Sequence, residues 1–310
     1  MNKRILVLAG PTASGKTDVA RQIAKKLSVS LISFDSMQVY RGMPITTQAS
    51  SRTFLGGKTH LVNFVDPKKE YSAALFRADA ERLIRLSVKR NKIPLLVGGT
   101  GLYLRALLDG LFEGVEGAPA TDEALRLRLF EDEKRGPGTL YRFLKEKDPA
   151  SAERIHANDT RRLVRALEVC HLLGRPFSSA KKNRRGIRDE FLPTLFFLDR
   201  DRRDLYERIG RRVDAMVKKG LLAEVKKLGK ISLSRTAGMA LGIREITAYL
   251  KGDLSLSQAI ELLKKNTRHY AKRQVSWFRH EKDTRFIPVG PEETPARVAD
   301  RILVEWRQTE

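Results

Sequence analysis

Residues 6–20 read LVLAGPTASGKTDVA, an apolar run that breaks into a loop of small residues and then into a charged, helix-like segment. Within it Gly10-Pro11-Thr12-Ala13-Ser14-Gly15-Lys16-Thr17 fits the phosphate-loop pattern G-x-x-x-x-G-K-[ST]. The flanks supply the context that the pattern requires. Ile5–Ala9 is a short continuous apolar run, the signature of a buried parallel strand. Val19, Ala20, Ile23, Ala24 and Leu27 fall on one face of a helix. The chemistry then follows from residue type. Gly10 and Gly15 let backbone N–H groups turn inward, and the helix N-terminus adds positive potential. Lys16 brings a charge to bound phosphates, and the Thr17 hydroxyl suits Mg²⁺. The whole of Gly10–Thr17 is therefore a candidate phosphate cradle. It does not say whether the phosphates belong to a nucleoside triphosphate or to another diphosphate.

Working outward, strand and helix patterns alternate. Leu31–Phe34 reads as a second strand ending at Asp35, and Leu61–Val65 as a third. Ala73 to about Arg90 reads as a helix, and Ile93–Val97 as a further strand. Gly98-Gly99-Thr100-Gly101 then opens a helix through Leu108. This is the pattern of a doubly wound α/β fold with a parallel sheet, of the kind built around phosphate loops. Composition shifts over Gly110–Pro119, and Thr121 to about Lys182 is helical and highly charged, with Asp159 as an N-cap and Gly174 as a helix stop. A basic segment, Lys181–Arg188, follows. Strand character resumes at Thr194–Leu198, with helices expected over Arg203–Lys218, Leu221–Leu228, Leu256–Phe278 and Ala296–Trp306, and a last strand at Phe286–Val289. The expected organisation is an α/β core made of residues 1–116 and 190–310, interrupted by a helical insertion over 117–189.

The 310-residue chain carries 60 Lys and Arg against 37 Asp and Glu, a net charge of +23. Such an excess points to a polyanionic partner, nucleic acid first. The only cysteine, Cys170, excludes an intrachain disulfide and lies in an apolar helical pattern as a small core residue. The run Ile5–Ala9 is too short for a signal peptide's apolar region, and no stretch approaches a membrane span. The expectation is a cytoplasmic protein without a membrane partner. His60, His156, His171, His269 and His280 show no metal-ligand spacing.

Carboxylates at strand ends decide what a phosphate loop does. The strand Ile93–Val97 ends in Gly98-Gly99-Thr100 rather than in Asp. Asp66, before Pro67, reads as a turn residue more readily than as a metal ligand. Asp35 sits directly at the carboxyl end of its strand, where α/β sheets place ligands, and can be a metal ligand, a general base or a cap on the next turn.

Asp35-Ser36-Met37-Gln38-Val39-Tyr40-Arg41-Gly42-Met43 and the particular form GPTASGKT resemble segments of the tRNA dimethylallyltransferases, also called tRNA isopentenyltransferases. The similarity recurs in order at YSAALF (71–76), VGGTGLYLRALL (97–108), ERIHANDTRRLVRALEV (153–169), RIGRRVDAMVKKGLLAEV (208–225) and TRHYAKRQVSWFR (267–279). It covers the chain from residue 5 to about 290. One segment departs: after Met43 the family usually reads I-G-T-A-K-P, whereas this chain has Ile45-Thr46-Thr47-Gln48-Ala49-Ser50, and Ser276 replaces a usual Thr.

The resemblance implies that the loop, Gly10 to Thr17, holds dimethylallyl diphosphate, with Lys16 among the catalytic residues and Thr17 on Mg²⁺. It implies transfer of the prenyl group to N6 of the adenosine next to a tRNA anticodon on its 3′ side. An exocyclic amine is a weak nucleophile, and a carboxylate accepting its hydrogen bond strengthens it, a role that falls to Asp35. Thr100, at the head of its helix, matches a second active-site hydroxyl. Asp35, Ser36, Met37 and Gln38 match a base-recognition segment. Arg161, Arg162, Leu163, Val164 and Arg165 match a tRNA-contacting helix on which Arg161 and Arg165 share a face. Arg126 aligns with another RNA contact. Lys272 and Arg273, with Gln274, Trp277 and Arg279, form a basic–aromatic cluster suited to phosphate and stacking contacts. Arg208, Arg211 and Arg212 either join them or are solvated. The expected partners are a tRNA anticodon stem-loop and dimethylallyl diphosphate, and the expected state is a monomer. A small-molecule kinase would share the loop without needing the charge; a noncatalytic RNA-binding module would not need Lys16, Thr17, Asp35 and Thr100 together.

Overall fold

The computed structural model describes residues 3–49, 53–54, 57–111, 121–180 and 185–308. The first strand, β1 (Arg4–Ala9), is buried along its whole length, as an all-apolar run predicts. Its alternate side chains feed two cores: Ile5, Val7 and Ala9 enter one, Leu6 and Leu8 the other. Helix α1 (Lys16–Lys26) follows the loop and places Val19, Ala20 and Ile23 in the second core. The chain returns as β2 (Val29–Phe34) and, further on, a short antiparallel pair, β3 (Thr53–Phe54) and β4 (Gly57–Lys58). Helix α2 (Ala73–Lys89), β5 (Ile93–Gly98) and α3 (Gly101–Leu108) complete the first half.

After the insertion the chain continues as β6 (Leu192–Arg200), below, and β7 (Thr284–Val289). The main sheet is parallel throughout, in the order β2-β5-β1-β6-β7. Strands β2 and β5 lie on one side of β1 and β6 and β7 on the other, which makes its carboxyl end the topological switch point and the place for a ligand. The phosphate loop begins there.

The contacts of the chain divide it into two units, one of Met1–Leu108 with Ile187–Glu310 and one of Asp109–Gly186. The second is all helical: α4 (Glu123–Arg135), α5 (Thr139–Lys147), α6 (Pro149–Ala152), α7 (Thr160–Leu173) and α8 (Phe177–Ala180). Asp159 caps α7 by accepting from the Arg162 N–H, and Gly174 ends it at φ 62°. Its core gathers Leu129, Leu140, Leu144, Leu163, Val164 and Leu167. Cys170 is buried. The first unit continues with α9 (Arg202–Lys218), α10 (Leu221–Leu228), a single 3-10 turn at Ala237–Met239, α11 (Ile243–Leu250), α12 (Leu256–Arg279) and α13 (Pro295–Arg307). Helices α9 to α12 share a satellite core of Val213, Met216, Leu221, Ile246 and Leu263.

One expected strand is absent. Over 61–65 the chain makes only isolated bridges, His60 to Ile32 and Val65 to Tyr40. Leu61 and Asn63 have φ of 60° and 51°, which breaks a pleat, although Leu61, Val62 and Val65 are buried as an apolar run should be. Helix α11 and the β3–β4 pair are not among the expected elements. The composition shift at Gly110–Pro119 lies outside the described residues from 112 onward, as do the 116/117 boundary, Lys181 to Arg184 of the basic segment, and Ser50.

Candidate active site

The loop after β1 alternates backbone handedness: Ala13 and Gly15 have φ of 65° and 93°. This conformation turns consecutive N–H groups toward one point, at the N-terminus of α1. The loop is braced from behind. Arg200, its side chain almost fully buried, donates from Nε to the Ser14 carbonyl (2.8 Å) and from Nη1 to Asp204 (2.9 Å). In front, the buried Gln274 of α12 accepts from the Thr12 N–H at 2.8 Å and donates to the Gly99 carbonyl at 2.9 Å. It thereby ties the phosphate loop to the loop after β5. The absence of a side chain at Gly99 makes room for this link, since a Cβ there would stand 2.2 Å from Gln274 Nε2 and displace the amide.

A cavity of about 730 Å³ opens over this loop. Thr12 to Thr17, Asp35, Ser36, Met37 and Gln38 line it from the strand ends, and Arg208, Arg211, Arg212, Tyr270 and Arg273 from α9 and α12. Val213, Met216, Leu241 and Leu263 give it an apolar wall. Gly10 and Pro11 face Lys16, whose Nζ donates to both of their carbonyls at 2.7 Å. Burial, partly offset by the Asp35 charge and reinforced by that of Arg212, lowers the Lys16 ammonium to a pKa of about 7. Ser14 Oγ is buried without a partner, a polar atom left over inside the cradle.

Asp35 uses one oxygen locally. Oδ1 accepts from the N–H groups of Met37 (2.9 Å) and Gln38 (3.3 Å), so the turn-capping role is present. Oδ2 has no partner among the described residues and remains available to accept a proton. Thr100 is held at the same edge but is not on the cavity wall: its Oγ1 accepts from the Ser36 N–H at 3.1 Å and donates to Ser36 Oγ at 3.4 Å. Burial first and the Asp35 charge second raise the Tyr270 phenol above its ordinary pKa, against the opposing charge of Arg273, so it stays protonated. Asp66 is a turn residue, its Oδ1 accepting from the Lys68 N–H at 2.9 Å.

The arginines of α9 are more specific than the sequence shows. Arg212 reaches into the cavity, donating from Nη1 to Thr12 Oγ1 (3.1 Å) and from Nε to Gln48 Oε1 (3.3 Å). Arg208 is spent on Asp204 at 2.9 Å. Neither role is visible in three arginines spaced over positions 208–212. Tyr270 and Gln274 are also absent from the expected catalytic set, although the motif around them was legible. Gln274, expected in an exposed basic–aromatic cluster, is instead internal at 5% exposure. Lys272 and Arg273 are exposed, while Trp277 is covered by Arg105 at 4.3 Å.

In the helical unit the expected contact helix needs correction. Leu163 and Val164 are 0% and 3% exposed, and their side chains belong to the core of the helical unit rather than to its surface. Arg161 and Arg162 are exposed. Arg165 and Arg126 converge on the fully buried carboxylate of Glu168, at 2.6 Å and 2.8 Å, and that carboxylate also accepts from the Asp122 N–H at 2.8 Å. These hydrogen bonds outweigh burial and hold Glu168 below the ordinary carboxylate range. No group of three or more His, Cys, Asp or Glu side chains arranged to hold a metal occurs among the described residues.

Comparison with known proteins matches this architecture. The family model described as IPP transferase matches residues 38–281. The tRNA dimethylallyltransferase of Pseudothermotoga lettingae is 44% identical over 295 residues, covering 92% of this chain and 90% of that protein. Among solved structures, the full-length tRNA isopentenylpyrophosphate transferase of Bacillus halodurans superposes with a TM-score of 0.71 at 34% identity, covering 99% of this chain and 97% of that one. A eukaryotic dimethylallyltransferase captured acting on tRNA superposes with a TM-score of 0.84 at 27% identity, covering 100% of this chain and 80% of its own. The loop at the switch point, the carboxylate beside it and these matches over nearly the whole length lead to one assignment: the chain belongs to the IPP transferase family, the tRNA dimethylallyltransferases.

Proposed function

We propose that the protein transfers the dimethylallyl group from dimethylallyl diphosphate to N6 of the adenosine immediately 3′ of a tRNA anticodon, giving N6-isopentenyladenosine and pyrophosphate. The observation that carries this reading is the meeting of a phosphate cradle and the half-used carboxylate of Asp35 in one cavity with an apolar wall. The N6 lone pair forms a bond to the allylic carbon as the carbon–oxygen bond breaks, and that electron pair leaves on the diphosphate. Asp35 Oδ2 accepts the amine proton. The developing negative charge falls beside Lys16, Arg212 and the loop N–H groups, where donors lower the barrier. A bound diphosphate favours the charged form of Lys16 and draws its Nζ from the Gly10 and Pro11 carbonyls. Thr100 acts by fixing Ser36 at the rim.

Mg²⁺ fits the residues present. This ion prefers one or two protein oxygens with the rest from phosphates and water, and Thr17 on the cavity wall would supply such an oxygen without an all-protein cage. When bound it would neutralise the leaving diphosphate.

The RNA is assigned to Asp35, Ser36, Met37 and Gln38 at the target base, to Arg273 on the cavity wall with the exposed Lys272 beside it, and to Arg126, Arg161, Arg162 and Arg165 on the helical unit. An anticodon-loop base is accessible by unstacking, which is how proteins usually read single-stranded RNA. A monomeric enzyme acting in the cytoplasm, where tRNA is found, completes this reading. No described helix is long and apolar enough to cross a membrane. The test is nucleoside analysis of an anticodon stem-loop RNA after incubation with the protein, Mg²⁺ and dimethylallyl diphosphate. N6-isopentenyladenosine at the expected adenosine supports the assignment; a prenyl group elsewhere, or none, refutes it.

A further inference from the structure

Gln48 lies in the one segment that departs from the family pattern, and it faces the cavity. Its backbone is left-handed at φ 52°, a conformation uncommon for a residue with a long side chain. The segment is nevertheless firmly held. Glu224 of α10 accepts from the N–H groups of Ile45 (2.9 Å) and Thr46 (2.7 Å) and from Thr46 Oγ1 (2.6 Å). The Gln48 side chain then makes two bonds: Nε2 donates to the Ile45 carbonyl at 2.7 Å, and Oε1 accepts from Arg212 Nε at 3.3 Å. Its own carbonyl accepts from Gln38 Nε2 at 3.4 Å.

The basic residues around the loop differ in how they are held. Arg200 and Arg208 share the carboxylate of Asp204, which offsets one of their two charges and ties both guanidiniums to that side chain. Arg212 is held by two neutral acceptors, Thr12 Oγ1 and Gln48 Oε1, and no carboxylate among the described residues forms an ion pair with it. A neutral acceptor fixes the direction of a guanidinium without cancelling its charge. Fixing it in advance also removes part of the ordering cost when an anion arrives.

We propose that Gln48 is a positioning residue for the diphosphate, holding Arg212 across the phosphate loop through an uncharged amide so that the full guanidinium charge remains for the leaving group. The proposal rests on the assignment of the loop to a prenyl diphosphate. The Gln48–Arg212 bond orients the Arg212 guanidinium toward the loop that carries Lys16 and Thr12. The Ile45 bond keeps the amide turned so that its oxygen, not its nitrogen, faces Arg212.

Two substitutions test it. Gln48→Gly keeps the left-handed backbone at no steric cost and removes the side chain. Gln48→Glu keeps the reach and the acceptor atom but adds a charge that pairs with Arg212. Inorganic pyrophosphate binding, measured by calorimetry, should weaken by roughly fivefold to tenfold in Gln48→Gly, as expected for one lost neutral hydrogen bond. It should weaken further in Gln48→Glu, by roughly another tenfold, because a charged pair is stronger than a neutral one. In prenyl transfer the KM for the donor should rise in the same order, with the affinity for RNA unchanged and melting temperatures close to the parent. A purely structural glutamine predicts the opposite order, with Gln48→Glu rescuing what Gln48→Gly loses. That order, or pyrophosphate affinities equal to the parent's in both variants, overturns the proposal. A parent protein that binds pyrophosphate yet transfers no prenyl group would instead count against the proposed function.

Discussion

Asp35 and Lys16 face each other electrostatically across the cavity, and each makes a separate prediction. Asp35→Asn keeps the Oδ1 acceptor for the Met37 and Gln38 N–H groups and removes the base. Turnover should fall by about 10²–10⁴-fold, as for loss of a general base, while RNA binding by filter retention stays within a factor of about two. Unchanged turnover would remove Asp35 from the chemistry. Lys16 has a pKa lowered to about 7 from 10.5. Between these values the unfolded chain holds a proton that the folded chain has released, so stability rises with pH over that window. Above about 10 the buried tyrosines, whose pKa values are raised, reverse the trend. Urea unfolding at pH 7 and pH 9 should therefore show a gain that Lys16→Met abolishes; a parent with no gain contradicts the burial of this ammonium. Both residues were legible in the sequence because motif and strand end mark them. Arg212, Gln48 and Tyr270 were not: their importance comes from what they touch, and basic or aromatic residues on a helix look alike until the helix is placed.

Among the elements, α7 illustrates the same limit. Its cap at Asp159 and stop at Gly174 were readable, and so was the shared face of Arg161 and Arg165. The two apolar residues between them resemble part of a contact motif, yet at positions 163 and 164 they point into the helical core. Arg165→Ala should lower RNA affinity and reduce the slope of log affinity against log salt by about one, with little effect on pyrophosphate binding. An unchanged slope would mean that Arg165 serves Glu168 alone. The helical unit also depends on carboxylates that are charged when folded. Asp148 accepts from Ser151 and Ser178, and Glu168 from Arg165, Arg126 and Asp122; hydrogen bonding holds both below the ordinary range despite burial. Their contribution is present above the unfolded pKa near 4 and is lost as pH falls through the lower folded values, so this unit should lose protection first in hydrogen exchange below about pH 4. In the α/β core, Gly99→Ala forces Gln274 from its place between Thr12 and Gly99 and should cost about 1–3 kcal/mol in urea unfolding, because it strands a buried amide. The third strand failed as an expectation because hydrophobicity reports burial, whereas Leu61 and Asn63 choose a left-handed backbone that only tertiary packing dictates.

For the whole molecule, the alternation of strands and helices with a loop after the first strand was enough to anticipate a parallel sheet, because each connection needs a crossover that the spacing provides. Strand order, and so the position of β1 beside the switch point, required the pairing itself. The net charge of +23 anticipated an anionic macromolecule but not which surface meets it. The central claim is that the phosphate loop holds a prenyl diphosphate and not a nucleotide. One incubation addresses it directly: the protein, Mg²⁺ and an anticodon stem-loop RNA, with either labelled dimethylallyl diphosphate or labelled ATP. Label should pass from the prenyl donor into the RNA, with ATP neither consumed nor required. ATP consumption without prenyl incorporation would contradict it, and would return Asp35 to the role of a metal ligand in an ordinary nucleotide site.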